Sequence, residues 1–241
     1  MRFFMSSLRP ELIHPALWRA SQLATERGRR LSSGDDSLDK ALGGGWPLGA
    51  LIELLPEHPG IGEVHLLRAA LSALAGRRQH IILLNPPYTP SLQCWTAWGL
   101  SPDNLLLVRA DSPQDTVWAA AQILHYQSSA ALLCWAQAMA YADLLNLHRL
   151  ARRGATLAVL YRPRHTGRQD SPASLRIALR ATPQGLKILF LKCPGSLPHA
   201  HDLALYSDDH ALDQPVPAAA PGGLSRPAGI LVPPYATPGL A

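Results

Sequence analysis

The sequence predicts an α/β fold built on a mostly parallel sheet, and three observations predict it. Five short, near-continuous apolar runs, at 50–55, 80–85, 105–109, 130–135 and 156–161, alternate with amphipathic stretches at 62–75, 90–98, 113–126 and 141–153. Strands that are apolar at nearly every position belong in a sheet covered on both faces, which is the parallel arrangement with crossover helices. Two further runs, 175–181 and 186–193, flank Thr182-Pro183-Gln184-Gly185 and read as a closing β-hairpin. Composition agrees: 47% hydrophobic and 16% charged residues over 241 positions suit one packed core rather than a disordered chain.

The chain divides into three. Residues 1–30 form an arm in which Pro15 precedes Leu17, Trp18 and Leu23 at helical spacing, so a helix with one apolar face is expected, packed back on the core. Residues 31–200 carry the alternating pattern. Ser32 and Ser33 before Asp35 and Asp36 supply helix-start chemistry, and Gly43-Gly44-Gly45-Trp46 reads as a tight turn with an aromatic plug. Residues 201–241 change character. From His210 to Ala241 there are seven prolines, with Asp213 and Arg226 as the only formal charges, so an extended or disordered Pro-rich tail is expected. Within it Ile230, Leu231, Val232 and Tyr235 form an apolar cluster suited to lying along a partner.

Several classes of function are disfavoured. A net charge of +5 permits contact with nucleic acid or acidic partners without requiring it. Cys94, Cys134 and Cys193 are odd in number, lack metal spacing and have apolar neighbours, which points to reduced thiols in a cytoplasmic protein. No apolar run reaches the ~18 residues of a membrane span, and residues 1–10 lack the apolar region of a signal peptide. His58 and His65 lie near Glu63 but form no recognised ligand set, so no metal and no cofactor are expected. Trp118 reads as a core or interface residue. Nothing matches a nucleophile elbow or a dinucleotide fingerprint.

The informative segment follows the first long strand: Pro56-Glu57-His58-Pro59-Gly60-Ile61-Gly62-Glu63-Val64-His65. A working phosphate loop, G-x4-G-K-[ST], needs backbone N–H groups around the phosphates, a Lys on the β/γ oxygens and a hydroxyl on Mg2+. Glu63 stands at the Lys position and Val64 at the hydroxyl position, while Pro56 and Pro59 remove two donors. Helix, Gly-rich turn, strand and loop arrive in the order of a RecA-type ATPase core, which the segment resembles. Followed further, the run 80–85 ends at Pro86 where RecA has a catalytic glutamate nearby, and 130–135 ends in Trp135 where the magnesium-ordering Asp is expected. The resemblance therefore implies a RecA-like P-loop-NTPase core with a degenerate nucleotide site (Gly60, Gly62, Glu63, Val64, Pro86, Trp135) and no catalysis, because phosphoryl transfer rests on those groups.

A narrower resemblance runs from residue 14 to about 195. His14-Pro15-x-Leu17-Trp18-Arg19, Gly43-Gly44-Gly45-Trp46-Pro47-Leu48-Gly49-Ala50, Pro59-Gly60-Ile61-Gly62-Glu63, Ser112-Pro113 with Trp118-Ala119-Ala120, Leu160-Tyr161-Arg162-Pro163 and Ser171-Pro172-Ala173-Ser174-Leu175-Arg176 form an ordered series similar to the ImuA family. The related SulA cell-division inhibitors resemble mainly the later half. The ImuA resemblance implies an accessory role in SOS-induced, mutagenic translesion DNA synthesis and repair, alongside an ImuB-like protein, an error-prone DnaE-type polymerase and RecA itself. The SulA resemblance implies the alternative, an inhibitor binding FtsZ. In RecA-like folds the loop after the last core strand faces DNA, so Arg162, Arg164, His165 and Arg168 are the candidate DNA- or partner-binding loop, through phosphate contacts without sequence readout.

Overall fold

The computed structural model describes residues 29–75, 79–194 and 200–204. Most of the expected arm and nearly all of the tail, including Trp18, Ile230, Leu231, Val232 and Tyr235, lie outside the described residues.

The architecture is α/β with a mostly parallel sheet, compatible with a Rossmann- or RecA-like core. A small antiparallel ribbon comes first, pairing β1 (Arg30–Leu31) with β2 (Trp46–Pro47). Between them runs α1 (Asp36–Ala41), whose first turn is capped by Asp35: its Oδ1 accepts from the Leu38 N–H at 2.6 Å. Ser32 Oγ and the Ser33 N–H both donate to Asp39, at 2.6 and 2.7 Å, and fix the approach to the helix.

The main sheet follows. Its strands are β3 (Ala50–Pro56), β4 (His80–Leu84), β5 (Leu105–Val108), β6 (Ser129–Trp135), β7 (Leu157–Tyr161), β8 (Leu175–Thr182), β9 (Gly185–Lys192) and β10 (His201–Ala204). They lie in the order β10-β9-β8-β3-β7-β6-β4-β5. Neighbours from β8 to β5 pair parallel; β9 and β10 are antiparallel additions. The hairpin expected at 182–185 is present, with Thr182 opposite Gly185. Past the expected core boundary at 200, β10 pairs antiparallel with β9. Four residues, His201-Asp202-Leu203-Ala204, are too short and too mixed to announce an edge strand.

Strand parity builds the core. Ile52 and Leu54 face one layer with Trp46, Leu71, Leu83, Val159 and Ile177. Leu51 faces the other with Leu132, Leu144, Leu147, Ala158 and Leu160. The first layer is closed by α1, α2 (Arg68–Leu74) and α3 (Leu92–Ala97); the second by α4 (Pro113–Tyr126) and α5 (Tyr141–Ala151). The central strands are buried on both sides, which is why their sequences show no alternation. The expected helix at 62–75 is shortened. Gly62 has φ +102°, which a right-handed helix excludes, so a turn and one 3-10 turn (His65–Leu67) precede α2. Trp118 does not join the core; it is 62% exposed on α4.

Sheet order also creates a crevice. The connection from β4 runs outward to β5, while the connection from β6 runs the other way to β7. Adjacent strands whose connections diverge leave a gap at their carboxyl ends, the usual ligand position in open α/β sheets.

Two glycines separate backbone strain from steric exclusion. Gly45 and Gly99 both have positive φ, but a Cβ on Gly45 would lie 2.2 Å from the Leu31 carbonyl oxygen, whereas Gly99 has nothing within 4 Å. Gly45→Ala should prevent the β1–β2 ribbon from closing and cost several times the ~1–2 kcal/mol of strain expected for Gly99→Ala. Chemical denaturation of both variants measures the gap, and equal losses would contradict it.

A pH dependence follows from α5. Burial first, then the charges of Arg152, Lys192 and Arg149, hold the His148 imidazole down to about 4 from an ordinary 6.5. The unfolded chain therefore takes up this proton before the folded one. Stability from His148 is complete above about pH 6.5 and is lost as pH falls toward 4. The melting temperature should decline across that window, and His148→Gln should flatten the decline; parallel curves would place the titration on another group.

Candidate functional site

Three loops converge at the carboxyl ends of β3, β6 and β7. In the first, between β3 and α2, Gly60 and Gly62 take φ +88° and +102°. That geometry turns the Gly60 N–H onto the side chain of Glu63, both of whose carboxylate oxygens accept it, at 2.9 and 3.0 Å. Glu63 is buried. Its backbone oxygen accepts a long hydrogen bond, 3.4 Å, from the Tyr161 hydroxyl. Burial, with the Glu63 charge adding to it, pushes the Tyr161 phenol well above its ordinary value. Tyr161 stacks on Trp135 with ring centroids 4.5 Å apart and planes 17° apart. The ends of β6 and β7 are thus tied to the β3 loop through aromatic rings.

The second part is the crevice beyond β4 and β6. It has a volume of about 330 Å3, and its polar lining comes from Asn85, Asp111, Ser112, Thr116 and Gln137, with Trp135 and prolines as walls. Asn85 adopts φ 54°, a left-handed conformation that Asn tolerates. Its amide donates to Thr116 Oγ1 at 2.8 Å, and its Oδ1 accepts from the Ala110 N–H at 2.7 Å. One side chain therefore joins the end of β4 to the start of α4. Arg109, beside it, donates to the Pro86 carbonyl at 2.6 Å. Among the described residues no lysine or arginine lines the crevice. The arrangement can hold a small polar group through the amides of Asn85 and Gln137 and the hydroxyls of Ser112 and Thr116.

The third part is the loop from β7 to β8, organised around Glu53. Glu53 is fully buried in β3. Its Oε2 accepts from Arg176 Nε at 2.6 Å; its Oε1 accepts from Arg162 Nη1 at 3.1 Å and Ser171 Oγ at 2.9 Å. Arg176 then donates onward to the carbonyls of Thr166 and Gln169, each at 2.9 Å. Two guanidinium groups meet one carboxylate away from water, and the surplus positive charge rests on carbonyl oxygens.

This corrects the basic-loop expectation for Arg162. The residue is buried, its guanidinium is turned inward to Glu53, and no phosphate can reach it. The structure separates it from Arg164, His165 and Arg168, which are exposed on a 3-10 turn (Arg164–Arg168). Arg164 is itself engaged with Glu57 at 3.1 Å, and Arg180 reaches the same carboxylate at 3.4 Å. Gly60, Gly62, Glu63 and Val64 follow β3, Pro86 follows β4 and Trp135 ends β6, so all six lie on the carboxyl side of the parallel strands. Residues that sequence reasoning missed are Glu53, Arg176, Asn85 and Tyr161. For Glu53 there was a signal: a lone carboxylate inside an apolar strand requires a buried cation elsewhere in the chain. Among the described residues no three His, Cys, Asp or Glu side chains gather to hold a metal ion, and no helix is long and apolar enough to cross a membrane.

No protein-family model matches the chain, and no curated protein matches it either.

The two classes of arginine should respond differently to truncation. Arg176→Ala leaves Glu53 with a lost partner and should cost roughly 3–5 kcal/mol. Arg164→Ala breaks an exposed pair and should cost under about 1 kcal/mol. Denaturant melts of the two variants test this, and similar losses would contradict the buried network.

Proposed function

We propose that the chain is a non-catalytic, RecA-like adaptor of the ImuA kind, acting in damage-induced translesion synthesis by joining an ImuB-like protein and an error-prone DnaE-type polymerase. The observation that carries this reading is the Glu63 carboxylate on the Gly60 N–H. A strand-to-helix loop of this type uses its amides to bind phosphate. Here the loop's own side chain supplies the anion, and a second anion would meet its charge at close range. Trp135 at the end of β6 and Pro86 after β4 bring no carboxylate for a metal or a water. The parallel sheet is compatible with a RecA-like core, and a fold retained without the groups that turn over nucleotide suits assembly. In this reading any phosphate contact by the β7–β8 loop falls to Arg164, His165 and Arg168, and the nucleotide position is vestigial.

Purified full-length chain should show no ATP hydrolysis above background, with or without single-stranded DNA, and should retain an ImuB-like protein in a pull-down while leaving FtsZ polymerisation unchanged in a pelleting assay. Turnover that disappears on Glu63→Ala would establish an enzyme, and loss of FtsZ from the pellet would establish the SulA-like alternative.

A further inference from the structure

We propose that the ends of α4 and α5 form a binding surface for single-stranded nucleic acid, in which Arg149, Arg152 and Arg153 meet phosphates and Tyr126 stacks on a base. The two helices run into the amino ends of the strands that follow them, α4 into β6 and α5 into β7. This surface therefore lies at the opposite end of the strands from the three loops described above. The helix ends are tied together: Gln127 Nε2 donates to the Arg153 carbonyl at 2.7 Å, and Thr156 Oγ1 donates to the Ser129 carbonyl at 2.9 Å. Tyr126, next to Gln127, is 72% exposed. Its ring is held edge-to-face against His125, also exposed, with centroids 5.4 Å apart. Arg149, Arg152 and Arg153 are exposed as well. The ion pairs among the described residues engage Arg162, Arg164, Arg176 and Arg180, and none of these three. No acidic residue occurs between Asp143 and Asp170. Cations in a last turn complement the carbonyl end of a helix, but only about half a charge is there to be balanced, and three guanidinium groups exceed it. The surplus is felt inside the fold, where, after burial, the charges of Arg152, Lys192 and Arg149 oppose protonation of His148. Unpaired guanidinium groups beside an exposed ring suit a flexible strand, whose phosphates take the charge while a splayed base takes the ring face. A duplex keeps its bases stacked on each other and offers Tyr126 no free face, so the single strand is favoured. This inference does not rest on the functional reading above.

The test is fluorescence anisotropy of the full chain with labelled oligothymidylate and oligouridylate of about 20 nucleotides, longer than one such site, over a salt series. A duplex of the same length and phosphatidylserine vesicles serve as competitors. Binding of either single strand supports the proposal, and the tighter of the two names the sugar. The combined Arg149→Ala, Arg152→Ala and Arg153→Ala variant should bind at least tenfold more weakly, with a salt slope lower by about 2, at about 0.7 per lost phosphate contact. Tyr126→Ala should lose about fivefold or more at an unchanged slope, and Tyr126→Phe should restore it, which separates stacking from charge. All four positions are exposed, and melting curves check that the variants fold. A chain that binds no single strand, a duplex or vesicle held as tightly as the single strand, unchanged affinity in both the arginine variant and Tyr126→Ala, or a loss seen only on neutralising Arg164 and Arg168 would each overturn the proposal.

Discussion

The buried carboxylate of Glu53 is the constraint on which the carboxyl end of the sheet depends. A charge at that depth is tolerated only when its oxygens are fully engaged, and Arg176, Arg162 and Ser171 engage them. Those three residues come from β8, from the end of β7 and from the loop between them, so one interaction fixes where the chain must go after β7. Arg176 then holds the carbonyls of Thr166 and Gln169, which converts a polar, proline-containing stretch into a defined turn. The exposed cations of that turn owe their position to a network that they do not join.

Glutamates recur along this part of the chain, and each consumes donors. Glu53 takes two arginines in the interior. Glu57, just past β3, takes Arg164 and Arg180 at the surface. Glu63 takes the Gly60 amide. Among the described residues, Arg162, Arg164, Arg176 and Arg180 are thereby engaged with carboxylates of the same chain. That is the physical basis for proposing assembly over phosphoryl transfer, since the latter needs cations and amides aimed at the substrate.

The sheet was legible in the sequence because central strands buried on both faces need continuous apolar runs, and β3, β4, β6 and β7 all have them. The hairpin was legible for a similar reason, two runs around a Pro-Gln-Gly turn. The grouping of Gly60 and Glu63 near Trp135 could be anticipated, because strand ends in a parallel sheet share one side. What was not legible depended on pairing at long range. Arg162 lies in a run of cationic residues and reads as a surface group; its inward turn is decided by Glu53, more than a hundred positions away. The start of α2 was misplaced because Gly62 and the folded-back Glu63 carboxylate act locally against a helical pattern. β10 was missed because four mixed residues carry no periodicity, and only the open edge of β9 makes them a strand.

The most direct measurement is the amide resonance of Gly60 in a nitrogen–proton correlation spectrum of the full chain, followed as Mg–ATP is added. With Glu63 already holding the N–H, this resonance should stay in place into the millimolar range. A saturable shift of Gly60 at micromolar nucleotide would instead show that the loop releases its carboxylate for phosphate and that the nucleotide position still functions.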